Sequence, residues 1–224
     1  MAQRRPPNPK LLVASRNQGK LREYRELLQG VPFQLTDLVA EGIQEEVAET
    51  GRTFAENAGL KARRYAAISG LLTLADDSGL EVDALDGEPG VRSSRYAGEH
   101  ASDADRYRLL LEKLRGVPQE KRTARFHCVI AMAWPSGRVD LLDGVREGII
   151  ATGPRGANGF GYDPVFYMPE LGATMAELSA EQKNRVSHRY EAARKAKALL
   201  TALASDGPPG AGQVDKGVDA AGQV

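Results

Sequence analysis

The sequence predicts a layered fold of the α/β or α+β class. Apolar runs of strand length alternate along the chain with longer stretches of helical periodicity. At the start of three helical stretches a serine or threonine is followed three positions later by an acid or a glutamine, a pattern that begins helices. The chain has 224 residues, 42% of them hydrophobic, which is enough for one large domain or two small lobes with a buried core.

The first half of the chain is predicted to alternate strands and helices. Residues 11–14 form a buried strand, and after a polar turn a helix follows over residues 20–29, with Leu21 and Tyr24 on its apolar face. Thr53 and Glu56 form the capping box of a helix over residues 54–69, which Gly70 ends. The remaining elements predicted here are a strand at 71–75, a tight turn at 76–79 and a strand at 80–85.

The second half of the chain begins with a helix opened by Ser102 and Asp105 and closed near Gly116. A hairpin is predicted from residues 126–134 and 139–142, followed by a further strand at 146–151. The last helical stretch starts at Ser179, whose capping partner is Gln182, and ends before the C-terminal tail.

The two ends of the chain differ from the middle in composition. Residues 1–9 contain three prolines and no apolar periodicity, so we expect a flexible extension. Residues 205–224 are rich in glycine and lack aromatic side chains, so we expect a disordered tail that cannot offset its ordering entropy by burial. The folded domain is therefore predicted to span residues 10–204.

Composition excludes several classes of protein. Thirty Lys and Arg residues balance thirty Asp and Glu residues, which argues against a general nucleic-acid or membrane-surface binder. The longest apolar stretch, residues 128–134, is far shorter than the roughly 18 residues that span a bilayer. The N-terminus lacks a signal-peptide core, and Cys128 is the single cysteine, so we expect a cytoplasmic protein without disulfides in which Cys128 is a core residue.

A polar link between the first strand and the first helix is the first stretch that indicates chemistry. It runs Ser15-Arg16-Asn17-Gln18-Gly19-Lys20. Free backbone N–H groups at a helix start, together with the Lys20 ammonium, would hold a phosphate. The pattern of a Walker A loop is absent, and taken alone the stretch is better explained as an ordinary polar turn.

Two adjacent acids, Asp76 and Asp77, follow an apolar strand. One could hold a hard cation such as Mg²⁺ while the other orients water, although Asp-Asp-Ser-Gly is also ordinary turn chemistry. Of the acids upstream, Glu56 is explained by its capping role. Glu49 has no such explanation and is the better metal candidate.

Two further stretches offer binding groups. Residues 153–164 contain four glycines with Phe160 and Tyr162, so a base could approach the backbone and stack on an aromatic face; a plain mobile loop is the alternative. Residues 181–189 place Lys183 on one face with Ser187, and Asn184 on one face with His188, if the helix is continuous. Such donors could bind carbonyl or phosphate oxygens, or form a solvated cationic face.

Taken in order, these stretches resemble the inosine/xanthosine triphosphate pyrophosphatase family. The resemblance covers about residues 10–204. Its motifs are Ser15-x-Asn17-x-x-Lys20, Glu49-Thr50-Gly51-x-Thr53-Phe54-x-Glu56-Asn57-Ala58-x-x-Lys61-Ala62, Ala75-Asp76-Asp77-Ser78-Gly79-Leu80-x-Val82-Asp83-Ala84-Leu85-x-Gly87-x-Pro89-Gly90-Val91, Ser94-Arg95-Tyr96-Ala97-Gly98, Gly159-Phe160-Gly161-Tyr162-Asp163-Pro164 and Lys183-Asn184-x-x-Ser187-His188-Arg189. Because several motifs occur together at family-like spacing, the resemblance is specific.

The resemblance implies an α/β fold in which a long mixed sheet bridges two lobes, with the nucleotide in the cleft between them, in a homodimer. It implies Mg²⁺-dependent hydrolysis of ITP, dITP and XTP to the monophosphate and pyrophosphate. The implied triphosphate site is Ser15, Arg16, Asn17, Gln18, Gly19 and Lys20, and the implied metal site is Glu49, Asp76 and Asp77. The implied base pocket is Phe160, Gly161, Tyr162, Asp163, Lys183, His188 and Arg189. We also expect Lys61 to neutralise phosphate charge and Ser78 to bind substrate. Asp77 is expected to activate the water, although the two aspartates could exchange duties.

Departures from the family pattern are few. Arg92 and Ser93 stand where the family often has an aromatic residue and a serine, and both terminal extensions lie outside the pattern. Two other functions stay open: a related pyrophosphatase with a different base preference, and a non-catalytic nucleotide-binding module. The adjacent acids argue against the module, because a pure triphosphate binder rarely places two bare carboxylates beside phosphates.

Overall fold

The computed structural model describes residues 8–205. The expected N-terminal extension and C-terminal tail fall almost wholly on residues 1–7 and 206–224, which lie outside the described residues. No helix within residues 8–205 is long and apolar enough to cross a membrane.

A mixed β-sheet forms the centre of the described part of the chain. Its seven strands are β1 (Lys10–Val13), β2 (Gln34–Asp37), β3 (Leu72–Val82), β4 (Thr123–Ala133), β5 (Val139–Ile150), β6 (Phe166–Met168) and β7 (Ala173–Thr174). They lie in the order β2-β1-β3-β4-β5-β6-β7. Strand β1 runs parallel to β2 and β3, whereas every pairing from β3–β4 onward is antiparallel. The predicted α/β class and long mixed sheet are confirmed; the division into two lobes and the bounds 10–204 stay predictions.

Five α-helices flank this sheet within residues 8–205. They are α1 (Gln18–Leu27), α2 (Phe54–Ser69), α3 (Asp103–Lys113), α4 (Ala180–Val186) and α5 (His188–Ser205). Alternate residues of β1 face opposite sides, so Leu11 packs with α1 and α5 while Leu12 packs with α2. A third cluster of buried side chains lies around β6 and α3. The sheet is therefore covered on both faces where the site residues emerge.

Most helix starts agree with the sequence prediction. Ser102 and Ser179 cap α3 and α4, each with the reciprocal bond of a capping box. Thr53 caps α2, and Gly70 ends that helix in the left-handed conformation. The predicted box at α2 is only half formed, because the Glu56 carboxylate accepts from the backbone N–H of Arg52 rather than from that of Thr53.

The predicted turn at residues 76–79 is wrong. Strand β3 runs straight through it, because β4 provides an antiparallel partner at every position from Asp76, opposite Ile130, to Gly79, opposite His127. The strand predicted at residues 80–85 is the end of β3 followed by a 3-10 turn at Asp83–Leu85. Residues 146–151 likewise do not form a separate strand: β5 continues through residues 146–150 to Ile150.

The predicted continuous helix after Ser179 is also wrong. Ser187 is extended, with φ −78° and ψ 157°, so the segment divides into α4 and α5. The Ser187 hydroxyl then accepts from the backbone N–H of Tyr190 at the start of α5. The expected shared face of Asn184 and His188 is lost: Asn184 donates to Glu26 on α1, whereas His188 is buried.

Candidate active site

One cavity of about 340 Å³ lies where β1, β3 and the loops before α1, α2 and β6 meet α4 and α5. It is lined by the sequence-predicted residues Ser15, Arg16, Asn17, Lys20, Glu49, Lys61, Asp76, Asp77, Ser78, Phe160, Gly161, Tyr162, Asp163, Lys183, His188 and Arg189. Gln18 and Gly19 do not line it. Residues far apart in sequence are therefore brought together as expected, while their individual roles stay predictions.

The start of α1 forms one end of the cavity. The Asn17 side chain accepts from the backbone N–H of Lys20 at 3.0 Å and so caps the helix. The Lys20 ammonium lies 2.8 Å from Asp76 Oδ2. The Arg16 guanidinium donates to the backbone carbonyls of Ile43 and Glu45, so this side chain is already bonded to the protein.

Gln18 and Gly19 contribute differently from the expectation. Gln18 is exposed at the first position of α1. A Cβ at Gly19 would lie 2.7 Å from Cδ1 of Phe160, which is closer than packed atoms approach. Gly19 therefore allows the Phe160 ring to pack over the start of α1 without itself lining the cavity.

Asp76 and Asp77 are buried neighbours on β3 with different surroundings. Their side chains alternate across the strand, so Asp76 meets Lys20 while Asp77 meets Lys61 and Asn57. Burial opposes ionisation of Asp76, but the charges of Lys20, Arg189 and Lys61 outweigh it and lower its pKa to about 2. For Asp77 burial is the stronger effect, and its pKa is raised above 3.8. Asp77 is thus the better proton acceptor of the two.

Glu49 reaches the Asp77 side of the strand. The Lys61 ammonium donates to Glu49 Oε1 at 2.6 Å and to Asp77 Oδ1 at 3.3 Å, so one cation joins both carboxylates. Arg95, to which no site role was assigned from the sequence, lies 3.4 Å from Glu49 Oε2. Burial raises the energy of the charged Glu49, yet Lys61 and the other cations hold its pKa below 4.5.

The three acids fit a hard divalent cation by chemistry. Carboxylate oxygens are the ligands that Mg²⁺ prefers. As they stand, Glu49 and Asp77 converge on Lys61, while Asp76 is bonded to Lys20 on the other side of β3. Within residues 8–205 no three Asp, Glu, His or Cys side chains are already grouped as a metal site. Holding one ion with all three acids stays a prediction.

The opposite end of the cavity is built on the loop before β6. Phe160 is half-buried, and the Lys183 ammonium lies 4.7 Å from its ring centroid. Asp163 accepts from both the Phe160 backbone N–H and Lys183. Glycine is required at 159, where φ is +75° and a Cβ would lie 2.0 Å from Asp163 Oδ2. Tyr162 is only 3% exposed and donates its hydroxyl to the Ser93 carbonyl, so it is a wall of the cavity rather than a free stacking face.

Helices α4 and α5 supply three buried basic side chains, namely Lys183, His188 and Arg189. The His188 ring stacks on Phe126 at 4.6 Å. Burial, reinforced by Arg189 and Lys183, holds the pKa of His188 well below 6.5, so the ring is neutral at pH 7. Its Nδ1 is buried and has no hydrogen-bond partner among residues 8–205.

Glu23 is a site-forming residue that the sequence analysis missed. From α1 it bonds both Lys183, at 2.9 Å, and Arg189. Arg189 in turn donates to the Ser78 hydroxyl at 3.1 Å, and that hydroxyl donates to Asp76 at 3.2 Å. A continuous chain of polar contacts thus joins the aromatic end of the cavity to the Lys20 end. The spacing of Glu23 three residues after Lys20 on one helical face could have indicated it.

Comparison with known proteins finds similarity over most of this chain to proteins of one family. The profile of the Ham1 family matches residues 11–199. A dITP/XTP pyrophosphatase of Geobacter sulfurreducens is 54% identical over 183 residues, which cover 82% of this chain and 92% of that protein. A dITP/XTP pyrophosphatase of Desulforamulus reducens is 50% identical over 194 residues, covering 87% and 96%. The solved structure of a HAM1 protein from Coxiella burnetii aligns with a TM-score of 0.80 at 44% identity, covering 87% of this chain and 99% of that one.

Proposed function

The chain belongs to the Ham1 family, and we propose that it hydrolyses the non-standard purine nucleotides ITP, dITP and XTP to the nucleoside monophosphate and pyrophosphate. The observation that carries the proposal is that one cavity has lysines and acids at one end and an aromatic ring with buried donors at the other. A nucleoside triphosphate has the same polarity, with charge at one end and a flat base at the other. Such an enzyme would remove deaminated purines from the nucleotide pool.

The triphosphate would lie at the Lys20 end of the cavity. Lys20, Lys61 and the backbone N–H groups at the start of α1 supply positive charge there without making the protein basic overall. Lys20 now compensates Asp76, and Lys61 now compensates Glu49 and Asp77. Both ammonium groups could turn to the phosphates when another cation takes over the carboxylates.

The proposed cation is Mg²⁺, held by Glu49, Asp76 and Asp77. When bound, such an ion neutralises charge on the oxygens of the departing pyrophosphate. Asp77 would accept a proton from the water that attacks the α-phosphorus, because its pKa is raised whereas that of Asp76 is lowered to about 2. Asn57 donates to Asp77 Oδ2 at 3.1 Å and holds that carboxylate in orientation.

The base would lie beside Phe160, within reach of Lys183, His188 and Arg189. Hypoxanthine and xanthine carry an acceptor oxygen at C6 where adenine carries an amino donor. A buried set of donors is left unpaired by adenine, and mismatches of this kind can discriminate by ~10⁴ or more. The donors of Lys183 and Arg189 are held in place by Glu23 and Asp163.

Two further properties belong to this proposal. The enzyme is a homodimer, as the resemblance to its family implies, and sedimentation equilibrium would measure its mass. It acts in the cytoplasm, where its nucleotide substrates are made and used, and fractionation of cells that express a tagged chain would locate it.

The experiment that tests the proposed function is a product assay with ITP in the presence and absence of Mg²⁺. We expect pyrophosphate, not orthophosphate, and only with the metal. A panel of ITP, XTP, GTP, ATP and UTP would then compare kcat/KM values. Equal values for ATP and ITP would contradict the assigned base preference, and binding of ITP without any product would favour a non-catalytic module.

A further inference from the structure

Arg106 lines the same cavity from α3, although no motif assigned it a role. Its Nη1 donates to Asp103 Oδ1 at 2.6 Å, and Asp103 Oδ2 accepts from the backbone N–H of Gly161 at 2.7 Å. Helix α3 is thereby bonded to the loop that carries Phe160 and Tyr162. Arg106 is therefore held at the aromatic end of the cavity.

Arg106 also has a donor that the protein leaves unused. The side chain is 17% exposed, yet its Nε is fully buried and has no hydrogen-bond partner among residues 8–205. Of the four buried side-chain polar atoms in this condition within those residues, three belong to side chains lining this cavity, namely Arg106 Nε, His188 Nδ1 and Arg189 Nε. Buried polar atoms are normally paired, so this concentration around one cavity indicates basic side chains that are positioned for the cavity and not for bonds within the protein.

The positive charge of Arg106 acts on Tyr162, which forms part of the cavity wall. Burial raises the pKa of the Tyr162 hydroxyl, and the Arg106 guanidinium is the largest influence that opposes this rise. The guanidinium therefore lies near Tyr162, whose hydroxyl donates to the Ser93 carbonyl. In contrast, Lys183 and Arg189 approach the Phe160 ring from α4 and α5.

We propose that Arg106 recognises the substituent at C2 of the purine, favouring the 2-oxo group of xanthine and disfavouring the 2-amino group of guanine. The inference rests on the proposed function and extends it. O6 and the 2-substituent flank N1 on one ring, so a base whose O6 meets donors from α4 and α5 presents its 2-substituent to a different part of the wall. Arg106 is the cation that α3 contributes to the cavity wall.

The chemistry of the guanidinium decides the order of preference. Arginine only donates hydrogen bonds. Xanthine would accept one from the exposed part of the guanidinium, hypoxanthine with hydrogen at C2 would accept none there, and guanine would bring its amino donor against another donor. The 6-oxo group is common to all three bases, so the contacts of Lys183 and Arg189 cannot separate guanine from xanthine.

The test compares XTP, ITP and GTP in the wild-type protein and in two variants, Arg106→Met and Arg106→Gln. We expect the ratio of kcat/KM for XTP to that for ITP to fall by about ten- to a hundredfold in both, as for the loss of one charge-assisted hydrogen bond. The ratio for GTP to ITP should rise, more in Arg106→Gln because its amide oxygen can accept from the 2-amino group.

Arg108→Met is the matched control. Arg108 lies on the same helix and pairs with Asp105 at the same i, i+3 spacing, but its side chain is 71% exposed and it does not line the cavity. This variant should leave all three kcat/KM values unchanged. Unaltered ratios in the Arg106 variants, or an equal fall with all three nucleotides, would overturn the inference and leave Arg106 only a support for the Gly161 loop.

Two measurements distinguish a failure of this inference from misfolded variants and from a failure of the proposed function. Circular dichroism and thermal melting establish whether the two Arg106 variants fold. If neither variant folds, the comparison of nucleotides with the wild-type protein decides, because GTP hydrolysed as fast as XTP would contradict a donor facing C2. GTP hydrolysed at least about tenfold more slowly than XTP would support it. Failure of the wild-type protein to release pyrophosphate from ITP and XTP would instead refute the proposed function itself.

Discussion

Replacing Glu23 by glutamine is expected to destabilise the protein by about 3 kcal/mol at neutral pH. Glu23 shares its carboxylate between Lys183 and Arg189, whose side chains are 6% and 2% exposed. Glutamine keeps the shape but removes the charge, so two buried cations lose an anion. Breaking a buried ion pair costs ~3–5 kcal/mol, and the lower end applies because Lys183 keeps Asp163 and Arg189 keeps its bond to Ser78.

The effect of this substitution should depend on pH. Burial acts to raise the pKa of Glu23, but Arg189 and Lys183 outweigh it, so the pKa lies below the ordinary 4.5. A carboxyl group with a lowered pKa stabilises the fold fully above its unfolded value, and that contribution is lost as the pH falls through the folded value. The difference between wild type and Glu23→Gln should therefore be constant above pH 4.5 and shrink below it.

Urea unfolding at pH 7 and at a series of lower pH values would measure both effects. Glu26→Gln is the control, because Glu26 is exposed one turn further along α1 and, among the described residues, its carboxylate accepts only from the neutral amide of Asn184. It should leave the midpoint nearly unchanged. The reasoning would be refuted if Glu23→Gln lowered the free energy of unfolding no more than Glu26→Gln does. It would also be refuted if the loss of free energy persisted undiminished well below pH 4.5.

Three further outcomes are expected. Asp77→Asn should lower kcat for ITP by at least about a hundredfold while changing nucleotide affinity little, because the proton acceptor is lost but its position is filled; retained pyrophosphate release would move water activation to another group. Gly19→Ala should push the Phe160 ring aside, since its Cβ would lie 2.7 Å from that ring, and raise KM for ITP about tenfold. An unchanged KM would contradict a contact between the Phe160 ring and the base. Gly59→Ala, inside α2, should stabilise the protein by ~0.5–1 kcal/mol in urea unfolding, because the new Cβ meets only the flexible end of Arg63; a lower midpoint would show that the guanidinium cannot yield.

Short-range information predicted the helix ends well. A cap depends on a side chain and a backbone group three residues away, so Thr53, Ser102 and Ser179 could be identified from sequence. Gly70 ends α2 in the left-handed conformation for an equally local reason. These elements then fix where the loops between them can begin.

The prediction of a turn at residues 76–79 was wrong because these residues pair with a strand that is distant in sequence. Asp-Asp-Ser-Gly has the composition of a turn, but β4, some fifty residues later, offers it a continuous backbone partner. Two buried charges in that strand are tolerated because Lys20 and Lys61 reach them from different helices. Neither the pairing nor the neutralisation is visible in the local sequence.

The site was predicted as a set of motifs, and the residues that connect the motifs were missed. Glu23 bonds two cations more than 150 positions away, and Arg106 lines the cavity beside Asp103, which accepts from the backbone N–H of Gly161. Neither residue belongs to one of the motifs, although Glu23 follows Lys20 by three positions on α1. Their roles follow from which helices the sheet order brings together.

The continuity of β3 bears on which of its two acids activates water. In a tight turn, Asp76 and Asp77 could exchange duties, because both would meet the same solvent. On a strand they alternate, so one faces the cations of α1 and α5 and is held ionised, with a pKa of about 2, while the other faces Lys61 in a setting where burial prevails. Two carboxylates whose pKa values are driven apart by their surroundings have separate roles available to them. The lowered pKa suits Asp76 to hold cations permanently, and the raised one suits Asp77 to take up a proton, so strand geometry favours the assignment that composition left open.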